Sequence, residues 1–350
     1  MCEKKNRPMK RKFFKISKYA LLLLLLIFLI TVFYPRSYNV PHFQTRIGTQ
    51  HWSLSTGSKI GYTLIAGKGN KKQFPIIYLH GGPGGHITDK DIQSLTPFSD
   101  SGYNIYLYDQ AGSGESARLK DIENYTVDRH IEDLKEIIKN IDAEKVILIG
   151  QSWGAIFAAL FSADNPNKIE KIIFTSPGPI YPVSKKSLTT KIPDSIQLRN
   201  PFFTNAMGNK KANNIRTKAM KYLATKFGMK LASNKEADEF ETYLDYELNK
   251  STVCDTSKTP GPEAGSGYYA GIMTYNSLLK VQDPRPKLIQ LKFSVLILKG
   301  ECDNQKWGFT NEYKELFQNS ELVIIPGAGH FISVEKPELY LKVIQQFLNK

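Results

Sequence analysis

The chain has 350 residues, of which 41% are hydrophobic and 23% charged, a composition that excludes a disordered protein and allows a sizeable core. The formal net charge is +14, but residues 1–18 hold eight basic residues and one acidic residue, so this tail alone carries +7. The other +7 is spread over 332 residues, which argues against nucleic acid as a partner.

The basic tail at 1–18 precedes an uncharged stretch at 19–34 that contains a run of leucines. With Ile16 and Ser17 added across Lys18, the stretch approaches the ~20 residues that span a bilayer as a helix. Because the basic cluster lies on its N-terminal side, the sequence predicts a single-pass signal-anchor at 19–34, with the tail cytoplasmic and the rest extracytoplasmic. A cleaved signal peptide, which would release a secreted protein, and a buried core helix are the alternatives.

After a linker at 35–50, residues 51–177 alternate between strand and helix patterns. A hairpin is expected at 50–65, followed by short apolar runs of the kind that form strands buried on both faces. These runs lie at 75–79, 104–108, 145–149 and 171–175. Thr126 is expected to cap a helix that extends to Ile141. Alternating strands and helices predict a mostly parallel sheet with helices on both faces.

The alternation of strand and helix patterns ends at 178–289. This segment has helical patterns at 211–231, 234–249 and 267–281. Strand patterns return at 293–298 and 321–325, and a helix is expected from Pro337 to Leu348. We therefore interpret 178–289 as a helical cap inserted between the first part of the core, 51–177, and the second part, 290–350.

The segment Gly150-Gln151-Ser152-Trp153-Gly154 joins an apolar strand to an apolar helix. This G-x-S-x-G pattern is typical of a sharp turn that exposes a serine at a helix N-terminus, and Ser152 is the candidate nucleophile. In folds with this turn the acid and then the histidine follow the serine. Asp303 and His330 follow the last two strands in that order, and Glu301 could replace Asp303 as the acid.

Four glycines in the stretch His80-Gly81-Gly82-Pro83-Gly84-Gly85 directly follow the strand at 75–79. Backbone N–H groups of Gly82 and Trp153 are the expected oxyanion hole. A phosphate-binding loop is the competing interpretation, but the Gly-Lys-Ser/Thr ending is missing.

These motifs, together with Asp109-Gln110-Ala111-Gly112-Ser113-Gly114-Glu115-Ser116, resemble the proline iminopeptidases among the α/β-hydrolases. The resemblance runs over 50–177 and 290–350. It implies an α/β-hydrolase fold, a Ser152–Asp303–His330 triad, no metal or organic cofactor, and removal of N-terminal residues from peptides. Glu335 matches a glutamate common after the family's histidine.

Two departures concern the substrate rather than the chemistry. Ala111 stands where the family usually has arginine, and the cap lacks a recognisable motif for the substrate amine. A free ammonium needs buried carboxylates. Substrate contacts are expected at Gly81, Glu335 and Glu247, and further candidate cap carboxylates are Glu239, Glu241, Asp245 and Glu263.

The sequence thus predicts a serine hydrolase with an N-terminal membrane helix, acting on small peptides as an aminopeptidase that favours proline. The alternatives are a carboxylesterase, lipase or lactonase on the same fold, and a catalytically silent surface receptor. Cys254 and Cys302 are either paired or free thiols, and the oligomeric state is left open.

Overall fold

A computed structural model describes residues 7–350, in which eight strands form one sheet. In chain order the strands are Gln50–Ser53 (β1), Lys59–Ile65 (β2), Ile76–Leu79 (β3), Ile105–Tyr108 (β4), Val146–Gln151 (β5), Ile169–Thr175 (β6), Ser294–Gly300 (β7) and Ser320–Ile325 (β8). Their order across the sheet is β1-β2-β4-β3-β5-β6-β7-β8. β2 pairs antiparallel with β1 and β4, and the remaining neighbours pair parallel. The expected mostly parallel sheet is confirmed.

Helices cover both faces of this sheet and build the cap. The described α-helices are Arg7–Phe33 (α1), Asp89–Leu95 (α2), Pro97–Asp100 (α3), Val127–Asn140 (α4), Trp153–Asp164 (α5), Lys185–Thr189 (α6), Asn205–Ala212 (α7), Ile215–Phe227 (α8), Asn234–Asn249 (α9), Tyr268–Leu278 (α10), Arg285–Leu288 (α11), Trp307–Leu316 (α12), Ile332–Glu335 (α13) and Pro337–Leu348 (α14).

The central strands form because their apolar runs are buried on both faces. All four residues of β3 and all six of β5 are buried, and the core on each side of the sheet is built from such side chains. The expected helix after Thr126 is α4, and the Thr126 side chain accepts a hydrogen bond from Arg129 N as its N-cap. Parallel strands place their following loops at one edge of the sheet, where the site is expected.

The segment between β6 and β7 contains the helices α6 to α11. The prediction of one helix over 211–231 is wrong in detail, because the chain breaks between α7 and α8. Asn214 starts a new helix there: its side chain accepts from Thr217 N at 3.1 Å, and the Thr217 hydroxyl accepts from Asn214 N at 2.9 Å. This reciprocal capping box satisfies N–H groups that a continuous helix would have bonded internally.

The N-terminal helix α1 corrects one expectation. None of the helices in residues 7–350 combines the length and the apolar character needed to cross a membrane, so the transmembrane segment predicted at 19–34 is not supported. The sixteen uncharged residues of that stretch extend for about 24 Å as a helix, against about 30 Å for a hydrocarbon core. The predicted basic tail at 1–18 begins outside the described residues.

The end of α1 and the segment that follows it contact the cap. The carbonyl of Val32 accepts a hydrogen bond from the Arg216 guanidinium at 2.5 Å, and Arg36 N donates to the Glu236 carboxylate at 2.9 Å. Arg216 and Glu236 form a buried two-point ion pair. The predicted linker at 35–50 thus begins against α8 and α9 of the cap.

Candidate active site

The strand-to-helix turn at Ser152 has the geometry of a nucleophile elbow. Ser152 has φ of 55° and ψ of −111° and is the residue before α5. A positive φ is strained for a non-glycine residue, and strain of this kind is concentrated at functional sites. Gly154 makes the turn possible, because a Cβ there would lie 1.9 Å from the carbonyl oxygen of Leu79 on β3. The sequence around Ser152 therefore places the serine at the carboxyl-end edge of the sheet.

His330 and Asp303 meet in the loops after β8 and β7. His330 Nδ1 lies 2.8 Å from Asp303 Oδ1, and both side chains are buried. Burial by itself would raise the pKa of Asp303, but the charges of Lys299 and His330 and the hydrogen bonds from His330 and Gln305 N keep that pKa below its usual value. Ser152 and His330 line one cavity. Such a set can activate a serine hydroxyl and stabilise an imidazolium.

Glu301 does not take the place of Asp303. Its carboxylate forms an ion pair with Arg199 at 2.6 Å and accepts a hydrogen bond from Gly327 N at 2.7 Å. The two carboxylates therefore have different partners, since Asp303 contacts His330 and Lys299. Asp303 is the one that faces the histidine.

Glu335 and the two cysteines hold the loop of His330 against the base of the cap. The buried Glu335 carboxylate accepts from Gly329 N at 2.5 Å and from Cys254 N at 2.9 Å. Cys254 and Cys302 are joined by a disulfide with a Cα–Cα distance of 5.2 Å, so the free-thiol alternative is excluded in this structure. Among the described residues Glu335 is not part of the lining of that cavity, so the predicted substrate contact at Glu335 is not seen, and its carboxylate instead contacts the loop of His330 and Cys254.

The glycine-rich loop and the elbow are joined by Gln110. His80 Nε2 accepts from Gln110 N at 2.9 Å, which leaves Nδ1 to donate to the carbonyl of Gly81 at 2.8 Å. Trp153 Nε1 donates to Gln110 Oε1 at 2.8 Å. Burial lowers the pKa of His80, so its neutral form, which these bonds require, is favoured. The motifs that hold Gly82 and Trp153 are therefore bonded to each other through one glutamine.

Arg46 is a second buried link that sequence reasoning missed, since it lies in the predicted linker. Its guanidinium donates to Asp109 Oδ2 at 2.6 Å and to the carbonyl of Ile87 at 3.0 Å. Asp109 Oδ1 accepts from Ile87 N at 2.7 Å. This clamp joins the end of the glycine-rich loop to the Asp109 loop next to Ala111, where the related family usually supplies an arginine. The only feature of the sequence that could have indicated this contact is the position of Arg46, a basic residue just before the first strand.

The cavity has a volume of about 320 Å³ and contains carboxylates from α9. Glu241 and Asp245, one helical turn apart, line it together with Gly81, Gly82, Ser152 and His330. Burial is the main cause that raises the pKa of Asp245 to about 6, although its hydrogen bond from Ser266 lowers it. Burial and the neighbouring charges of Asp245 and Asp238 raise the pKa of Glu241 well above its usual value. Such groups can bind a cation where water is scarce.

Glu247, predicted to contact substrate, forms ion pairs with two lysines instead. Its carboxylate lies 2.9 Å from Lys211 Nζ and 2.6 Å from Lys250 Nζ, and it is absent from the cavity lining in the described chain. Glu239 lies 4.0 Å from Lys235 Nζ and is also absent from that lining. Glu263 does line the cavity. Of the candidate cap carboxylates, the structure therefore brings Glu241, Asp245 and Glu263 to the site.

Comparison with known proteins agrees with this geometry. A family model described as the alpha/beta hydrolase fold matches residues 75–337, and the chain belongs to that family. Within it, the chain resembles the proline iminopeptidases. It is 26% identical to one from Heyndrickxia coagulans, with 84% of this chain and 96% of that protein covered. For one from Saccharolobus solfataricus the identity is 25%, with 84% of this chain and 90% of that protein covered.

The solved structures that resemble the chain are more distant. A thermophilic esterase from Thermogutta terrifontis has a TM-score of 0.60 at 15% identity, with 86% of this chain and 98% of that chain covered. An esterase from Exiguobacterium antarcticum has a TM-score of 0.56 at 16% identity, with 86% and 99% covered. At these identities the likeness shows the fold alone.

Proposed function

We propose that the protein is a serine hydrolase that removes N-terminal residues from small peptides, with proline favoured. The observation that carries the proposal is that the candidate nucleophile and base line the same cavity as two carboxyl groups suited to a substrate amine. Ser152 and His330 line it beside the carboxyl groups of Glu241 and Asp245. The resemblance to proteins named proline iminopeptidases supports the same activity for this chain.

In this reaction Ser152 Oγ attacks the carbonyl carbon of the first peptide bond, and His330 Nε2 takes the serine proton. Asp303 holds the opposite ring nitrogen at 2.8 Å and stabilises the imidazolium. The backbone N–H groups of Gly82 and Trp153 donate to the oxyanion. His330 then protonates the leaving amine as the C–N bond breaks, and water hydrolyses the acyl-enzyme by the same steps in reverse order.

The substrate amine is the group for which the two carboxyls are suited. In the described chain the Glu241 carboxylate accepts no hydrogen bond, and Asp245 accepts one, from Ser266 Oγ at 2.7 Å. Burial and the charges of Asp245 and Asp238 raise the pKa of Glu241 well above its usual value, and burial raises the pKa of Asp245 to about 6, because neither carboxylate has a cation beside it among the described residues. A bound ammonium supplies that positive charge and the missing hydrogen-bond donors, and it favours the ionised form of both groups. A substrate whose amine is acylated cannot do this.

The test compares a prolyl arylamide with its N-acylated form, using the full chain and Ser152→Ala as the blank. We expect hydrolysis of the free amine alone. Glu241→Gln and Asp245→Asn should each lower kcat/KM by roughly 10- to 100-fold, the cost of losing a charged hydrogen bond. The matched control is Glu239→Gln, on the same helix but outside the cavity lining, and it should keep wild-type activity. Equal hydrolysis of both substrates would contradict the proposed amine site.

An esterase or lactonase is the second candidate, favoured by the same carboxyl groups in their neutral forms. When Glu241 and Asp245 are protonated, the cavity next to Ser152 carries less charge and has apolar walls at Leu248 and Val334. Turnover of a short-chain ester that far exceeds every free-amine peptide or arylamide would favour this candidate. In that case Glu241→Gln would leave activity largely unchanged.

The compartment is a separate proposal. We propose that the catalytic part works outside the cytoplasm, and the disulfide between Cys254 and Cys302 supports this, since such bonds persist in oxidising compartments. Mass spectrometry of protein alkylated directly in the producing cells would test it. Recovery of both cysteines as free, alkylated thiols would contradict the proposed location.

A further inference from the structure

A buried cation lies directly behind the Asp303 carboxylate. Lys299, the penultimate residue of β7, is 1% exposed, and its Nζ lies 3.1 Å from Asp303 Oδ2. The same Nζ donates to the carbonyl of Gln305 at 2.8 Å. Lysine is rarely buried to this extent unless it is paired. The mechanism above makes no use of this charge.

The two oxygens of Asp303 have different donors. Oδ1 faces His330 Nδ1 at 2.8 Å and accepts from Gln305 N at 3.0 Å, whereas Oδ2 accepts from Lys299. A carboxylate can rotate about its Cβ–Cγ bond, and the contact with Lys299 fixes that rotation. The lysine on the other side therefore helps to hold the carboxylate plane in the rotation that presents one oxygen to the histidine.

The contact also affects charge. A neutral donor such as a hydroxyl or an amide could satisfy Oδ2, and it would avoid the cost of burying an ammonium. The lysine adds a full positive charge that partly cancels the field of Asp303 at the imidazole. An imidazolium beside a partly neutralised carboxylate is less stable than one beside a bare carboxylate.

We propose that Lys299 is a positioning residue of the reaction: it orients Asp303 toward His330 and sets the pH range in which His330 accepts the serine proton. The inference rests on the proposed hydrolase mechanism but on neither substrate class. It assigns a role in the reaction to a residue that is not among the candidates predicted from the sequence.

Other charged groups near the pair stay constant when Lys299 is changed. On the loops and the cap segment around it these are Glu301, paired with Arg199, and Glu335, which accepts backbone N–H groups. The titratable residues that line the cavity with His330 are Tyr78, His80, His86, Lys90, Asp91, Glu241, Asp245, Tyr246 and Glu263. A comparison of variants at position 299 alone therefore isolates the effect of this charge.

The expected shift has a definite sign. Removing the ammonium leaves the imidazolium beside an uncompensated Asp303 carboxylate, so His330 stays protonated up to a higher pH. The acid limb of the pH profile should move upward by about 1.5 to 2 units, the shift that a unit charge on the far side of the carboxylate produces at an effective dielectric constant of about 20. Loss of packing alone would lower the rate without moving that limb.

The experiment measures the rate of covalent labelling of Ser152 by a fluorophosphonate as a function of pH, with the full chain. Lys299→Met removes the charge with little change in length, and we expect its acid limb to rise by about 1.5 to 2 pH units. Lys299→Gln keeps a hydrogen-bond donor without charge and should shift the same way, which keeps the test available if the methionine variant does not fold. Lys299→Arg keeps the charge and should restore the wild-type limb.

Lys171→Met is the matched control. Lys171 is a partly buried lysine on the neighbouring strand β6, near the strand end that lies away from the site, and its loss should leave the profile unchanged. Labelling of Lys299→Met or Lys299→Gln with the wild-type acid limb would overturn the inference. Failure of the wild-type protein to be labelled at Ser152 would instead contradict the proposed hydrolase mechanism, so the two failures are distinguishable.

Discussion

The carboxyl pair on α9 predicts that recognition of a free amine weakens in acid. If Asp245 must be ionised to bind the substrate ammonium, lowering the pH through its pKa of about 6 protonates it and removes the binding charge. The prolyl amine stays protonated over this range. The perturbation is therefore a change of pH that alters the site and leaves the substrate as it was.

The magnitude follows from that pKa. A carboxyl with a pKa of about 6 is about nine-tenths ionised near pH 7 and about one-tenth ionised near pH 5. Between these values kcat/KM for the prolyl arylamide should fall about tenfold beyond any fall caused by His330. Glu241, whose pKa is also raised, makes the fall steeper.

The assay separates the two titrations. In the proposed mechanism both arylamide hydrolysis and fluorophosphonate labelling require unprotonated His330, but only hydrolysis requires the carboxylates of Glu241 and Asp245. The ratio of kcat/KM to the labelling rate should drop about tenfold from about pH 7 to about pH 5 in the wild-type protein, and much less in Asp245→Asn. A wild-type ratio that is constant over this range would refute the assignment of the amine to Asp245.

Three further predictions follow from contacts around the site. Ser152→Ala should abolish turnover and change the free energy of unfolding by no more than roughly 1 kcal/mol, measured by urea denaturation. Arg46→Met should lower kcat and reduce that free energy by about 3 kcal/mol, because it leaves Asp109 buried without its cation; Lys68→Met, which breaks an exposed pair, should cost less than about 1 kcal/mol. Reducing the disulfide, whose cysteines are 48 residues apart, should destabilise the protein by up to about 4 kcal/mol, and equal stability with and without reductant would contradict this.

Much of the core could be predicted because each central strand is a short apolar run with its own local signal. β3 and β5 are buried on both faces, and their sequences show this directly. The elbow at Ser152 was predictable for the same reason, since strand, glycines and helix are contiguous in the chain. The pairing of Asp303 with His330 followed from topology, because loops after neighbouring parallel strands meet at one edge.

The buried cations could not be predicted in the same way. Arg46 contacts Asp109 across 63 residues, and no spacing in the sequence relates the two. Lys299 sits in an apolar strand, where a lysine suggests an exposed edge rather than a buried contact. Charge pairs of this kind depend on side-chain directions that are set only when the loops have packed.

The choice among cap carboxylates depended on helix geometry that the sequence left open. On α9, Glu241 and Asp245 are four residues apart and share a face, whereas Glu247 is two residues beyond Asp245 and points about 200° away. Which face meets the catalytic cavity is decided by packing of the cap. The uncharged stretch at 19–34 predicted a membrane span, and the helices of residues 7–350 do not support that prediction.

In the proposed mechanism Ser152 is a nucleophile activated by His330. The most direct test of this role is to treat the full-length protein with a fluorophosphonate and locate the adduct by peptide mass spectrometry. We expect one adduct, on Ser152, formed rapidly in the wild-type protein, slowly in His330→Ala, and not at all in Ser152→Ala. A folded wild-type protein that stays unlabelled, or one labelled equally fast without His330, would contradict it.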